Sequence, residues 1–77
     1  MNDTLESADK RQERNQLFAK VFGGKAGKEI LRVLREITIE RPVAKPQQEA
    51  SYAYFREGQN DIVRQIEAAV EAGKQGR

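Results

Sequence analysis

The sequence contains no cysteine, no histidine and no tryptophan among its 77 residues. Without cysteine the chain can form neither a disulfide nor a thiolate metal site, and without histidine it lacks the commonest metal ligand and general base. Aromatic residues make up only 6% of the chain and hydrophobic residues 38%, so we expect a thin core. A domain this small without a disulfide or a structural metal ion commonly gains stability by oligomerising or by binding a partner.

The sequence also lacks any apolar run long enough to cross a bilayer, which takes about 20 residues in a helix. Residues 1–16 are rich in charge and have no hydrophobic segment of the kind found in signal peptides. We therefore expect a soluble chain that makes no contact with a membrane. The net charge is only +2, so any contact with nucleic acid must come from local clustering of basic residues.

The longest periodic segment covers residues 51–72 and predicts an amphipathic α-helix. This helix could begin as early as Pro46, because proline is tolerated in the first turn. Gly58 lies on its apolar side, where a glycine would let another helix approach closely. The apolar side consists of Tyr54, Phe55, Gly58, Ile62, Ile66, Ala69 and Val70, and the polar side of Arg56, Glu57, Asn60, Asp61, Arg64, Glu67 and Glu71.

Two shorter helices precede this segment. The apolar spacing of residues 17–22 predicts the buried end of a first helix, with Phe18 and Phe22 in the core. Gly23 and Gly24 then end the helix, since glycine readily adopts the left-handed conformation found at helix C-termini. Residues 25–38 predict a second helix, with Gly27 close to its apolar side.

These segments together predict an all-α fold. We expect a small three-helix module, in which the first two helices form a hairpin and the long amphipathic helix lies across both. Residues 1–16 are expected to form a charged N-terminal arm, residues 17–72 the three-helix domain and residues 73–77 a polar C-terminal tail.

The residue types that support catalysis are scarce. The two serines, Ser7 and Ser51, lie near expected helix ends, where a hydroxyl usually caps the helix. The glycine- and lysine-containing segment 23–28 departs from a phosphate-binding loop in its spacing and lacks the hydroxyl residue that should follow the lysine. We therefore expect no enzymatic activity, no metal and no cofactor.

Basic residues cluster on one side of the second helix. Such a face could contact the phosphates of nucleic acid or an acidic protein partner, or it could simply be solvated. The sequence leaves these three alternatives open. The residues of this basic face are Lys25, Lys28, Arg32 and Arg35.

A second candidate surface lies on the third helix, whose apolar side is wider than a short helical hairpin can cover. Tyrosine combines an apolar ring with a polar hydroxyl, which suits the edge of a core or an interface. The predicted protein interface consists of Tyr52, Tyr54, Gly58, Val63 and Val70.

Two motifs resemble a family of small uncharacterised proteins of tailed bacteriophages and prophages, encoded among virion-assembly genes. The first combines Val21-Phe22 with the segment 27–31, GKEIL, followed by Leu34. The second is the segment 54–58, YFREG, and the resemblance covers about residues 17–70. Asn60 departs from the family pattern, in which many members have a basic residue.

The resemblance implies a non-enzymatic protein of the virion or of its assembly, which acts through protein–protein contacts. Its partners would be other phage structural proteins such as portal, tail or ejected proteins, with the chain present as a homo-oligomer or in several copies. Its location would be the virion, the host cytoplasm or both. The alternative is a small DNA-binding or regulatory protein that uses the basic face of the second helix.

Overall fold

The structure, a computed structural model, describes residues 7–42 and 50–77. Within these ranges the chain forms three α-helices and no strand, so the all-α prediction is confirmed. Helix α1 covers Ala8–Phe22, α2 covers Lys25–Ile37 and α3 covers Ala50–Lys74. Pro46, the candidate first residue of the third helix, lies outside the described residues.

Helix α1 begins well before the predicted boundary between residues 16 and 17. Ser7 caps the helix, because its hydroxyl accepts a hydrogen bond from the backbone N–H of Lys10 at 3.1 Å. Residues 8–16, expected to belong to an arm, are thus helical, and residues 1–6 lie outside the described part. The apolar spacing did not predict this extension, because residues 8–16 contact the rest of the chain through polar side chains and not through apolar burial.

Helices α1 and α3 form the principal pair and run antiparallel. Near the start of α1, the side-chain amide of Gln12 donates to the carbonyl of Gly76 at 2.6 Å. Further along α1, Phe18 lines a groove together with Ile62, which lies in the middle of α3. Helix α2 contacts both helices less extensively. The main packing partner of α1 is therefore α3, and not α2 as a simple hairpin would require.

The C-terminal residues belong to this helix pair. Helix α3 continues to Lys74, and the carbonyl of Arg77 accepts a hydrogen bond from the side-chain amide of Asn15 at 3.3 Å. Residues 73–77, predicted as a polar tail, are therefore in contact with α1. The reason is that the amide side chains of α1 offer donors to carbonyls left unpaired at the end of α3.

Two glycines lie where backbones approach closely. A Cβ at Gly73 would overlap the backbone oxygen of Asn15, so glycine is what allows α3 to come this close to α1. Gly27 is buried near the start of α2, and a Cβ there would overlap the backbone of Val21 and Phe22. Gly27 therefore allows the start of α2 to lie close to the end of α1.

Two other glycines behave differently from expectation. At Gly58 no atom lies within 4 Å of the position that a Cβ would take, so the predicted helix crossing at this residue is wrong. Helix α1 does end at Gly23, but this residue has φ −82° and ψ −17° and is right-handed. Among the described residues, positive φ occurs at Gly76.

The interior is small because the molecule is flat, with dimensions of 45 × 33 × 13 Å. Among the described residues, the buried apolar side chains are Val63 and Val70 of α3, and two polar side chains, Arg56 and Asn60, are buried beside them. A thin core was expected from the composition, but its polar members were not. No helix in the described ranges is both long and apolar enough to cross a membrane.

Candidate interaction surfaces

A groove of about 610 Å³ runs between α1 and α3. Phe18 of α1 lies in it, half-buried and stacked on Phe22 with ring centroids 6.3 Å apart. The two phenylalanines are thus only partly in the core. On the α3 side the groove is lined mainly by apolar residues, and Arg14 lies at the α1 side. The full lining comprises Arg14, Asn15, Phe18, Ile62, Gln65, Ile66, Ala68, Ala69 and Ala72.

Large apolar side chains of α1 and α3 are exposed in this groove and outside its lining. Ile62 is 56% exposed although it lines the groove, and Phe55, seven residues earlier on the same side of α3, is also exposed. On α1, Leu17 precedes Phe18 in the sequence and Val21 follows it, and both side chains are exposed. We refer to Leu17, Phe18, Val21, Phe55, Ile62 and Ile66 as the groove surface.

Helix α2 carries a second exposed apolar strip. Spacings of four, three and four residues place Ala26, Ile30, Val33 and Ile37 on one side of the helix, and all four are exposed. Ile30, for example, is 54% exposed. We call these four residues the α2 seam. The adjacent side of α2 is covered, since Gly27 is buried and Leu31 and Leu34 are partly buried.

Carboxylates neutralise two of the four residues of the basic face of α2, Arg32 and Arg35. The guanidinium of Arg32 donates from Nε to Oε2 of Glu29 at 3.2 Å and also pairs with Glu36. Arg35 lies 3.6 Å from Glu67 and 3.8 Å from Glu40.

Two of the four predicted basic residues are therefore paired within the chain. Lys25 and Lys28 are exposed, and neither has a carboxylate partner among the described residues. The hydrogen bond and the charge of Arg32 hold the pKa of Glu29 below its usual value, and Glu29 in turn raises the pKa of Arg32. The charge asymmetry seen in the sequence is thus much weaker in the folded chain.

The predicted protein interface on α3 is divided by the fold. Tyr54 is 76% exposed, Tyr52 is exposed to a smaller degree, and Gly58 is exposed as well. Val63 and Val70, in contrast, are buried and cannot contact another chain. Their assignment to an interface was wrong because the inner side of α3 is rotated relative to the side with the most apolar residues.

Two polar residues that the sequence placed on the solvent side are buried. Arg56 is 8% exposed, and its Nη2 donates to the carbonyl of Thr38 at 3.0 Å while Nη1 donates to that of Pro42 at 3.3 Å. Asn60 is 1% exposed, and its Oδ1 has no hydrogen-bond partner. These two hydrogen bonds of Arg56 therefore hold the residues that follow α2 against α3.

A signal for this burial is present in the sequence. Spacings of alternately three and four residues link six positions of α3, and every one of them is buried or partly buried. Polarity hides the pattern, because half of its members are polar or charged. The six residues are Ala53, Arg56, Asn60, Val63, Glu67 and Val70.

The described residues contain no group of three or more carboxylates that could hold a metal ion. No protein-family model, curated protein or solved structure matches the chain.

Proposed function

We propose that this chain is a non-enzymatic protein of a tailed-phage particle or of its assembly, and that it acts by binding other proteins. The observation that carries the proposal is the groove surface. Phe18, Ile62 and Ile66 line the groove, Ile62 is 56% exposed, and further exposed apolar residues of α1 and α3 lie outside this lining. The phage setting comes from the sequence resemblance. The absence of enzymatic activity is proposed from the residue types, since the chain has no histidine and no cysteine.

Exposed apolar residues scattered singly need no explanation, but a contiguous group beside a groove is typical of a binding site. Here an aromatic ring and branched aliphatic side chains lie together on two adjacent helices. Removing them from water would stabilise a complex by about 25 cal/mol for each Å² of apolar area buried. The groove surface thus has the composition of a protein interface.

The DNA-binding alternative has less support. Binding to the phosphate backbone depends on basic side chains that displace counterions from the nucleic acid. Arg32 and Arg35 already lie beside carboxylates, so a phosphate would have to compete with Glu29, Glu36 or Glu67. Lys25 and Lys28 alone form a small basic patch.

The proposal is tested by measuring the chain in purified particles of the phage or prophage that encodes it. Quantitative mass spectrometry should find the chain at a fixed copy number in particles or in assembly intermediates. Changing Phe55 and Ile62 to glutamine should deplete it from both, whereas Tyr54→Gln, a change at an exposed residue outside the groove surface, should not. Absence of the unaltered chain from both particles and intermediates would overturn the proposal.

A further inference from the structure

We propose that the protein partner at the groove surface is a second copy of this chain, whose α2 seam lies in the groove. By two-fold symmetry, the α2 seam of the first copy then lies in the groove of the second. The inference rests on the proposed function, because it names one partner of the same surface. It leads to a specific dimer that can be tested with the purified chain.

One chain carries two apolar features of complementary shape. The groove surface is concave and lies between two antiparallel helices, whereas the α2 seam is a convex strip on a single helix. A strip with spacings of four, three and four residues is the pattern by which a helix packs onto neighbouring helices. Placed between α1 and α3, the seam would complete a three-helix arrangement.

The possible pairings of two chains differ in how much apolar surface they cover. A stable interface buries about 800 Å² on each partner and involves about 20–30 residues a side. Pairing one α2 seam with another would cover four side chains on each copy and leave the groove open. Placing each seam in the other copy's groove covers both features on both copies, as a self-complementary two-fold interface does.

The single chain has a small interior. Val63 and Val70 are its buried apolar side chains in the described ranges, and the molecule is 13 Å thick in its smallest dimension. Small domains without disulfides or metals commonly obtain the missing apolar burial by association. A second copy supplies that burial with no segment beyond the described helices.

Disulfide trapping tests the arrangement directly, because the natural chain has no cysteine. Two single variants, Ile30→Cys in the seam and Ile62→Cys in the groove, are purified separately, mixed and oxidised gently. We expect the mixed disulfide Ile30→Cys with Ile62→Cys to form faster than either self-linked product. Tyr54→Cys, mixed with Ile30→Cys, is the matched control and should cross-link slowly.

Sedimentation equilibrium of the unaltered chain should give a mass that approaches twice the 8.7 kDa of one chain as concentration rises. Val33→Gln in the seam and Ile62→Gln in the groove should each raise the dimer dissociation constant by about tenfold or more. Tyr54→Gln should leave it unchanged. Because all three positions are exposed, far-UV circular dichroism should show the same helix content in every variant.

The outcomes separate this inference from the proposed function. Preferential self-linking of Ile30→Cys would mean that seams pair with seams, and would overturn the inference. A chain that remains monomeric at millimolar concentration would overturn it as well, even if the chain is found in phage particles. Conversely, a seam-in-groove dimer from a chain absent from particles and intermediates would uphold the inference and overturn the phage role.

Discussion

The two halves of α3 are held in the fold by different kinds of contact. In the C-terminal half, Gly73 lets the backbone approach Asn15 of α1, and Val70 is buried nearby in the same helix. In the N-terminal half, Arg56 is buried and donates hydrogen bonds to two backbone carbonyls, and Asn60 is buried one turn later. One half depends on close backbone contact, the other on buried polar groups.

The difference shows which contacts a small chain can form with few apolar residues. A close helix crossing gains dispersion contacts between backbones without large side chains, provided that a glycine removes the Cβ. A buried guanidinium gains charge-assisted hydrogen bonds, which are stronger than neutral ones, provided that carbonyls lie within reach. Each half therefore has a single residue whose replacement should have a large effect.

The largest effect is expected at the C-terminal half. Gly73→Ala should lower the free energy of unfolding by about 3 kcal/mol, because the new Cβ would overlap a backbone oxygen that cannot rotate away. Urea unfolding followed by far-UV circular dichroism measures this change. All variants must be compared at one protein concentration, since association stabilises the folded chain. An unchanged transition would show that α1 and α3 do not cross closely at Gly73.

A smaller effect is expected at the N-terminal half. Arg56→Met keeps most of the aliphatic stem but removes both donors, and should lower the free energy of unfolding by about 2 kcal/mol. The carbonyls of Thr38 and Pro42 would lose their partner, so the segment after α2 should also exchange its amide hydrogens faster. If the variant were less stable but the amide hydrogens of the segment after α2 exchanged no faster, Arg56 would not hold that segment against α3.

The sequence predicted where the helices occur more accurately than which side of each helix faces the interior. The glycine pair after Phe22 and the period of residues 51–72 locate two helix ends and the long helix correctly. The inner side of α3 was missed because Arg56 and Asn60 are polar, and an analysis based on polarity assigns them to solvent. The role of Gly73 could not be predicted from the sequence, because its contact with Asn15 joins residues far apart in the chain.

A third prediction contrasts Gly73 with a glycine in open space on the same helix. Gly58→Ala should raise the free energy of unfolding by about 0.5–1 kcal/mol, because alanine favours the helix and its Cβ meets no neighbour within 4 Å. Thermal unfolding at fixed concentration measures the shift. A decrease in stability would mean that Gly58 does lie at a helix crossing, as the sequence alone suggested.

The smallest effect is expected at Arg32, a solvent-exposed arginine of α2. Arg32→Met removes the ion pairs with Glu29 and Glu36, yet should change the unfolding midpoint little, because exposed ion pairs contribute weakly to stability. The pKa of Glu29, measured by NMR titration of its carboxylate, should rise towards its usual value in this variant.

The direction of the pH dependence follows from that pKa. A carboxyl group with a lowered pKa in the folded chain stabilises the fold at neutral pH, and this contribution disappears as the pH falls through the folded-state value. In Arg32→Met the pH dependence between neutral and acidic solution should therefore be slightly shallower. If Arg32→Met destabilised the chain as much as Arg56→Met, burial would not be what distinguishes the two arginines. The two halves of α3 would then differ only in the close contact of Gly73 with Asn15.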